Sequence, residues 1–398
     1  MPGKKISAEK KKKLKALVKL MNKQNERMFP PFPPLLDMLN LVLDDTQLDF
    51  LLLMGTESYT YDEAASRCTL STDAFERVFL NLCEKGFILM RRTEEGEERY
   101  VLNAILVGWI EAQVPYLRGK PEEKEFAQKF YGEYITYMKR FAGPTMRKLQ
   151  NTVMQSVTKP HQSVGIVEES AGQGTRTVIE VKQTLSRDDS KIYPTRTVNE
   201  LIEEYGNKNQ IAQLPCMCRH SYKILDDPCR FDIPENGGCL MFGPISESYV
   251  KHGHAHYITK DEAFEVIREV RDKGAIHSVF HERDDTDLPE IGICNCCWDC
   301  CGLLRSYNFG ASTLKYDCYF SAHVKDDSLC TGCGQCEKYC PTTAARVVEK
   351  NVFIDEKRCI GCGQCVHQCP GQNILELKPN ARTVFLPILK ENEIRIHA

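Results

Sequence analysis

The 398-residue sequence predicts an α+β chain of several domains: a helical N-terminal half, a cysteine-rich α/β middle and a small C-terminal domain. Three observations carry that prediction. The length exceeds the roughly 100–200 residues of one domain. The 20 cysteines are unevenly placed, with only Cys68 and Cys83 before Cys216 and the other eighteen between Cys216 and Cys369. Finally, Cys330, Cys333, Cys336 and Cys340 recur 29 residues later as Cys359, Cys362, Cys365 and Cys369. The expected segments are a basic arm and Pro-rich linker over 1–34, domains over 35–105 and 199–321 joined by a helical connector over 106–198, a cysteine-repeat domain over 322–378, and a tail over 379–398.

Composition narrows the chemistry. Hydrophobic residues make up 42% and charged residues 27%, with a net charge of −3, which excludes wholesale disorder. No apolar run reaches the ~18–20 residues of a bilayer span, so a transmembrane protein is not expected. The N-terminal lysines have no apolar stretch behind them, so no secretory signal is read. A cytoplasmic location and reducing conditions follow, under which cysteines serve metal or redox chemistry rather than disulfides.

Residues 1–27 hold ten Lys/Arg against two Glu, and Leu14, Leu17, Val18 and Met21 recur at helical spacing. This is a basic amphipathic arm, suited to peripheral docking on an acidic partner, a membrane surface or nucleic acid, or to lying solvated. Prolines 30, 31, 33 and 34 end it. Over 35–105, helices are expected at Leu35–Val42, Gln47–Met54, Tyr61–Cys68 and from Ser71 or Thr72 to Lys85. Strands are expected at Phe87–Arg92 and Arg99–Leu102. That order resembles a winged helix, a layout that often binds DNA. Its charges argue against DNA: the would-be recognition helix, Ser71–Lys85, carries Asp73, Glu76 and Glu84 against Arg77 and Lys85, and the hairpin tip carries Glu94, Glu95, Glu97 and Glu98. A protein-docking or structural role is expected instead. Residues 106–160 read as helical, with aromatics as core. Thr177–Val181 reads as a strand and Asn199–Tyr205 as a helix. Gly172-Gln-Gly174 lacks the third glycine and preceding strand of a nucleotide fingerprint. No nucleotide or flavin signature is found, so any substrate chemistry would reside in a partner.

The repeat has the form C-x2-C-x2-C-x3-C-P, twice, with Pro341/Pro370, Gly332/Gly361 and Gly334/Gly363 in register. Two-residue gaps let three thiolates turn around one inorganic core, and glycines let backbone amides approach its sulfides. The fourth cysteine is expected to begin a helix pointing away and to serve the other core. The pattern resembles the bacterial ferredoxin domain with two [4Fe–4S] clusters. The resemblance implies Cys330, Cys333, Cys336 and Cys369 on cluster 1, and Cys359, Cys362, Cys365 and Cys340 on cluster 2. Zinc ribbons would instead show paired C-x2-C units.

A second field contains Cys216, Cys218, Cys229 and Cys239, then Cys294, Cys296, Cys297, Cys300 and Cys301; Cys318 stands alone. If residues 294–301 were helical, Cys294, Cys297, Cys300 and Cys301 would share a face. If they were extended, Cys294, Cys296 and Cys300 would face one way and Cys297 and Cys301 the other. Neither places five thiolates on one ion, so either some support other ligands or two sites are served. At least one additional iron–sulfur cluster is expected, with a zinc or dithiol site as the alternative. His252, His254 and His256 alternate before a helix opening at Thr259 and read as a polar loop. His277 and His281 read as packing residues near that helix's end.

The order C-x-C-R, C-N-C-C, C-C-G and two ferredoxin motifs is similar to multi-cluster iron–sulfur proteins of anaerobic microbes, over about residues 190–378. That resemblance implies an electron-transfer protein or subunit working with a partner oxidoreductase. Two other readings stay open: an iron–sulfur redox-sensing regulator using the winged helix, and an enzyme with a catalytic cysteine-rich metal or dithiol site. The full expectation is an α+β multidomain chain with an N-terminal winged-helix-like helical domain, a central Cys-rich α/β domain and a C-terminal ferredoxin-like 2[4Fe–4S] domain.

Overall fold

The computed structural model describes residues 6–25, 29–93, 95–141, 144–156, 160, 162–167, 185–188, 191–193, 198–282, 290–371 and 373–396. Residues 1–5 of the basic arm, Glu94, the Gly172–Gly174 loop and the expected strand Thr177–Val181 lie outside them.

Helix α1 (Ala8–Met21) starts at Ser7, whose hydroxyl accepts from the Lys10 amide. It is not a free arm. Leu14, Leu17, Val18 and Met21 are buried in the core with α2 (Pro33–Val42) and α3 (Asp45–Met54). The 3.6-residue periodicity gave α1 an apolar stripe, and the stripe is consumed intramolecularly. Lys10 and Lys13 pair with Asp45 and Asp49 of α3, while Lys11, Lys12, Lys15, Lys19 and Lys23 stay exposed. Reciprocal side chain–backbone caps fix two more starts: Asp44 with Gln47 for α3, and Thr60 with Glu63 for α4 (Tyr61–Arg67). Strand β1 (Ser58–Tyr59) precedes α4, and α5 (Thr72–Glu84) follows it. Strands β2 (Ile88–Arg92) and β3 (Glu98–Leu102) form a hairpin, completing a three-stranded sheet of order β1-β3-β2.

Helix α6 (Ile110–Leu117) follows. Then α7 (Glu123–Ala127), a wider π turn at Gln128–Tyr134 and α8 (Ile135–Phe141) run on without a break. Phe126, Phe130, Tyr131 and Tyr134 are buried, while Tyr137 stays exposed. Trp109, fully buried, stacks on Phe87 at 5.0 Å and ties the hairpin to this helical layer. Helix α9 (Pro144–Ser156) leads to β4 (Gln162–Gly165). Among the described residues, strands β5 (Leu185–Asp188) and β6 (Lys191–Tyr193) pair only with each other.

The remaining chain builds an eight-stranded sheet. In order come α10 (Val198–Asn207), β7 (Ile211–Leu214), α11 (Met217–Ile224), β8 (Cys239–Phe242), α12 (Pro244–Lys251), β9 (His256–Tyr257), α13 (Lys260–Asp272), β10 (Ile276–His281), β11 (Glu290–Cys296), α14 (Gly302–Asn308) and β12 (Leu314–Val324). The small C-terminal unit adds α15 (Gln335–Tyr339), the hairpin β13 (Ala345–Val348)–β14 (Asn351–Ile354), and α16 (Gln364–His367) before β15 (Leu375–Leu386). The sheet order is β15-β12-β4-β10-β11-β8-β7-β9, antiparallel throughout except for β12 beside β4. The sheet crosses the segment limits at 198/199, 321/322 and 378/379, because β4, β12 and β15 pair across them. No described helix is long and apolar enough to cross a membrane.

Two local expectations fail here. His277 and His281 lie on β10, not near a helix end. Gly274, at φ +102°, ends the preceding turn, and β10 is then buried at every position between β4 and β11. Residues 294–301 are neither one helix nor one strand: β11 ends at Cys296, a turn carries Trp298–Cys300, and α14 starts at Gly302.

Candidate metal centres

Both repeats form loops whose glycines sit in the left-handed region: Gly332 and Gly334 at φ +74°, Gly361 at +67° and Gly363 at +75°. Gly334 and Gly363 precede the short helices α15 and α16. Contrary to the expectation from sequence, the fourth cysteine does not begin a helix. Cys340 immediately follows α15, and Cys369 follows α16 by two residues. Pro341 and Pro370 then prevent continuation by blocking the next amide.

The two repeats close on each other. Cys330, Cys333, Cys336 and Cys369 line one pocket. Cys340, Cys359, Cys362 and Cys365 line a second. In each set, three thiols come from one loop and the fourth from the other. The all-thiol donor sets, each drawn from both loops, suit a polynuclear iron–sulfur group. Their surroundings differ. Cys333 is exposed and Cys330 and Cys369 are part-buried, whereas Cys340, Cys359 and Cys365 are buried. Burial pushes the Cys362 and Cys365 thiols up, so ionisation there needs the charge of a bound metal. Amides of Ala322 and Ala345 point at the sulfurs of Cys359 and Cys340, at 3.4 Å each. Cys318, on β12, is buried near Cys359 and Cys362 without joining their cavity.

The upstream field separates into two groups. Cys239 on β8 faces Cys294 on β11, with sulfurs 2.6 Å apart, because β8 and β11 pair in register there. From Cys294 the thiol contacts run through Cys296 and Cys301 to Cys218 and Cys216. Tyr131 Oη and the Gly302 amide both donate to Cys218, at 3.3 and 3.2 Å. The other group joins Cys229 to the β11–α14 turn: Cys229 lies 3.6 Å from Cys297, which lies 2.6 Å from Cys300. Hydrogen bonds from Cys297 and Cys300 pull the Cys229 thiol down, while burial pushes the Cys297 thiol and the Asp299 carboxyl up and hydrogen bonding to Cys229 pushes the Cys300 thiol up. Cys68 and Cys83 belong to the N-terminal core and join neither.

Two residues that sequence reading passed over complete the picture. Asp299 is 1% exposed and its Oδ1 lies 3.9 Å from Cys229 Sγ. Arg219, 3% exposed, donates to the carbonyls of Pro234, Gly237 and Asn295 and faces the thiols of Cys216, Cys229, Cys297 and Cys300. Only their sequence position, inside C-x-C-R and C-W-D-C, signals them. The histidines stay apart from the sulfurs. His252 and His254 hydrogen-bond to the carbonyls of Ser248 and Glu84, and His256 is exposed. His277 bonds Asn295 at 2.8 Å and His281 bonds Ser163 at 2.9 Å.

No curated protein and no solved structure matches the chain. One family does: residues 322–370 match the 4Fe-4S dicluster domain, so the C-terminal unit is a ferredoxin-type iron–sulfur domain.

Proposed function

We propose that the chain is an electron-transfer protein or subunit that passes single electrons to or from a partner oxidoreductase. Cys330, Cys333, Cys336 and Cys369 would hold one [4Fe–4S] cluster, and Cys340, Cys359, Cys362 and Cys365 the other. A [4Fe–4S] cluster supplies reversible one-electron chemistry at a potential set by burial and hydrogen bonds. The observation that carries the reading is the graded burial of the thiols. The first set opens to solvent at Cys333, with Cys336 buried; in the second, Cys340, Cys359 and Cys365 are buried, and the part-buried Cys362 packs in one apolar cluster with Cys294, Cys296 and Cys301. The protein's side chains thus line a path from the surface inward. A third iron–sulfur cluster would sit among Cys216, Cys218, Cys239, Cys294, Cys296 and Cys301.

The N-terminal unit is read as a winged helix turned to protein contact. Its edge strand β2 is covered by α12: the Met90 amide donates to Ser248 Oγ at 3.0 Å, and Arg92 pairs with Glu247. Lys251 holds Glu98 at the hairpin. A hairpin occupied by its own chain supports structural use over phosphate contact. Anaerobic redox titration monitored by electron paramagnetic resonance tests the proposal. Reversible one-electron signals and roughly twelve cluster irons per chain are expected from three four-iron groups. An iron content near eight would remove the third cluster, and absence of any reversible signal would overturn the electron-transfer role.

A further inference from the structure

The geometry points to a mononuclear metal site: Cys229, Cys297, Cys300 and Asp299 hold one thiophilic divalent ion, zinc or ferrous iron, separate from every cluster. The inference rests on the reading of this chain as a metal–thiolate protein but adds a centre of a different kind. One donor atom from each of the four residues falls within 4.8 Å of all the others. A tetrahedral ion with ~2.3 Å metal–sulfur bonds sets its ligand sulfurs about 3.8 Å apart. The Cys229–Cys297 separation is 3.6 Å and the Cys229–Asp299 separation 3.9 Å. Cys297 and Cys300, at 2.6 Å, would open by about 1.2 Å to take an ion between them.

The same molecule supplies the contrast. The four thiols of each ferredoxin set ring a pocket, and among the described residues those eight make no thiol–thiol hydrogen bond. A cubane spreads its ligands over four different irons. The thiols from Cys239 to Cys216 also touch, but they are strung along a chain; Cys229, Cys297, Cys300 and Asp299 instead gather within 4.8 Å of one another, the span of one ion's ligands.

Charge and orientation agree with an ion. Asp299 is buried, and among the described residues its carboxylate makes no ion pair. The Arg230 amide holds Oδ2 at 2.7 Å, leaving Oδ1 turned toward Cys229. Such a bond to the non-ligating oxygen is how outer partners orient metal-bound carboxylates. Three thiolates and a carboxylate around a divalent ion leave a net charge of −2, and the buried guanidinium of Arg219 beside them offsets part of it. Cys297-Trp-Asp-Cys300 provides the C-x2-C half of the site, and Cys229 arrives from the loop between α11 and β8. The ion would pin that loop to the β11–α14 turn. Phe231 and Trp298, flanking the ligands, pack at 5.8 Å, and Phe231 reaches Tyr339 beside Cys340 at 5.3 Å. The site therefore braces the surface on which the ferredoxin unit sits.

The test uses the full chain, purified anaerobically, with zinc, iron and acid-labile sulfide measured per chain. The wild type should carry about one metal equivalent beyond that matched by sulfide. Cys229→Ala should lose that equivalent while its sulfide content and its reduced-cluster resonance spectrum stay unchanged. Asp299→Asn preserves shape and should fold. It should keep the ion but release it to a chelator at least tenfold faster, and cobalt(II) exchanged into the site should show an altered thiolate-to-metal absorption band. Loss of sulfide along with the metal in Cys229→Ala would show a cluster here instead and overturn the inference. So would a wild type with no metal beyond its sulfide-matched iron. If the proposed function itself were wrong, sulfide and cluster resonances would be missing from the wild type, a result distinct from either.

Discussion

Gly361→Ala tests how differently two sequence-equivalent loops are embedded. Gly361 and Gly332 occupy the same place in the two repeats, at φ +67° and +74°. Alanine in this left-handed region costs roughly 1–2 kcal/mol at either position. A Cβ on Gly332 would lie 3.0 Å from Lys350 Cα and Cγ, in the turn between β13 and β14, where a small shift relieves it. A Cβ on Gly361 would run into the carbonyl oxygen of Phe320, and lie 2.6 Å from its carbon and 3.2 Å from its Cα. Phe320 sits on β12, paired to β15, and its carbonyl accepts from Arg382 at 3.1 Å. The strand cannot retreat without breaking that bond, so overpacking adds about 1–3 kcal/mol. Gly361→Ala should therefore cost about 2–5 kcal/mol against roughly 1–2 for Gly332→Ala. Anaerobic denaturant unfolding of both variants, followed by circular dichroism and by the visible absorption of the bound clusters, measures the difference. Gly361→Ala should also lose iron from the set of Cys359, Cys362 and Cys365. If the two variants unfolded at the same denaturant concentration, the argument that β12 braces the second loop would be refuted.

Cys369→Ala should deplete the group of Cys330, Cys333 and Cys336 and spare that of Cys359, Cys362 and Cys365. Iron analysis with resonance spectra of the remaining cluster decides this, and the opposite pattern would disprove the crossed ligand sets. Burial pushes His277 down to about 4 while its unfolded value is 6.5, so the unfolded chain takes up the proton first as pH falls. Its contribution is intact above 6.5 and is lost as pH drops toward 4, amounting to about 1.3 kcal/mol between pH 7.5 and 5.5. His277→Gln should flatten that part of the stability profile by this amount, and an unchanged slope would exclude His277 as its source. In a DNA-retention assay, the full chain should show at most weak binding that salt abolishes, through the exposed lysines of α1. Specific nanomolar binding at physiological salt would reverse the reading of the hairpin.

Much of the local order was readable in the chain. Helix starts were readable for α5, at Ser71, and for α13, at Thr259, which caps reciprocally with Glu262. The repeat located both four-thiol loops, since each spans only a few residues and its glycines and prolines act on their own backbone. The upstream grouping was less accessible. A single periodicity was assumed over 294–301, but the chain changes from strand to turn to helix within those residues. Cys294 is therefore assigned to Cys239 by strand pairing, and Cys297 and Cys300 to Cys229 by the turn.

What the sequence determined alone is whatever depends on neighbours along the chain: helix starts, the apolar stripe of α1, and the thiol spacing of the ferredoxin loops. Tertiary structure decided the partners of groups far apart in sequence. It placed the stripe of α1 in the core rather than on a partner, covered the β2 edge with α12, and set one repeat against β12 while its twin faced solvent. It also brought Asp299 and Arg219 to the thiols. The reason is physical: spacing constrains backbone dihedrals within a few residues, whereas burial and charge pairing are set by whichever distant segments the packed sheet brings into contact.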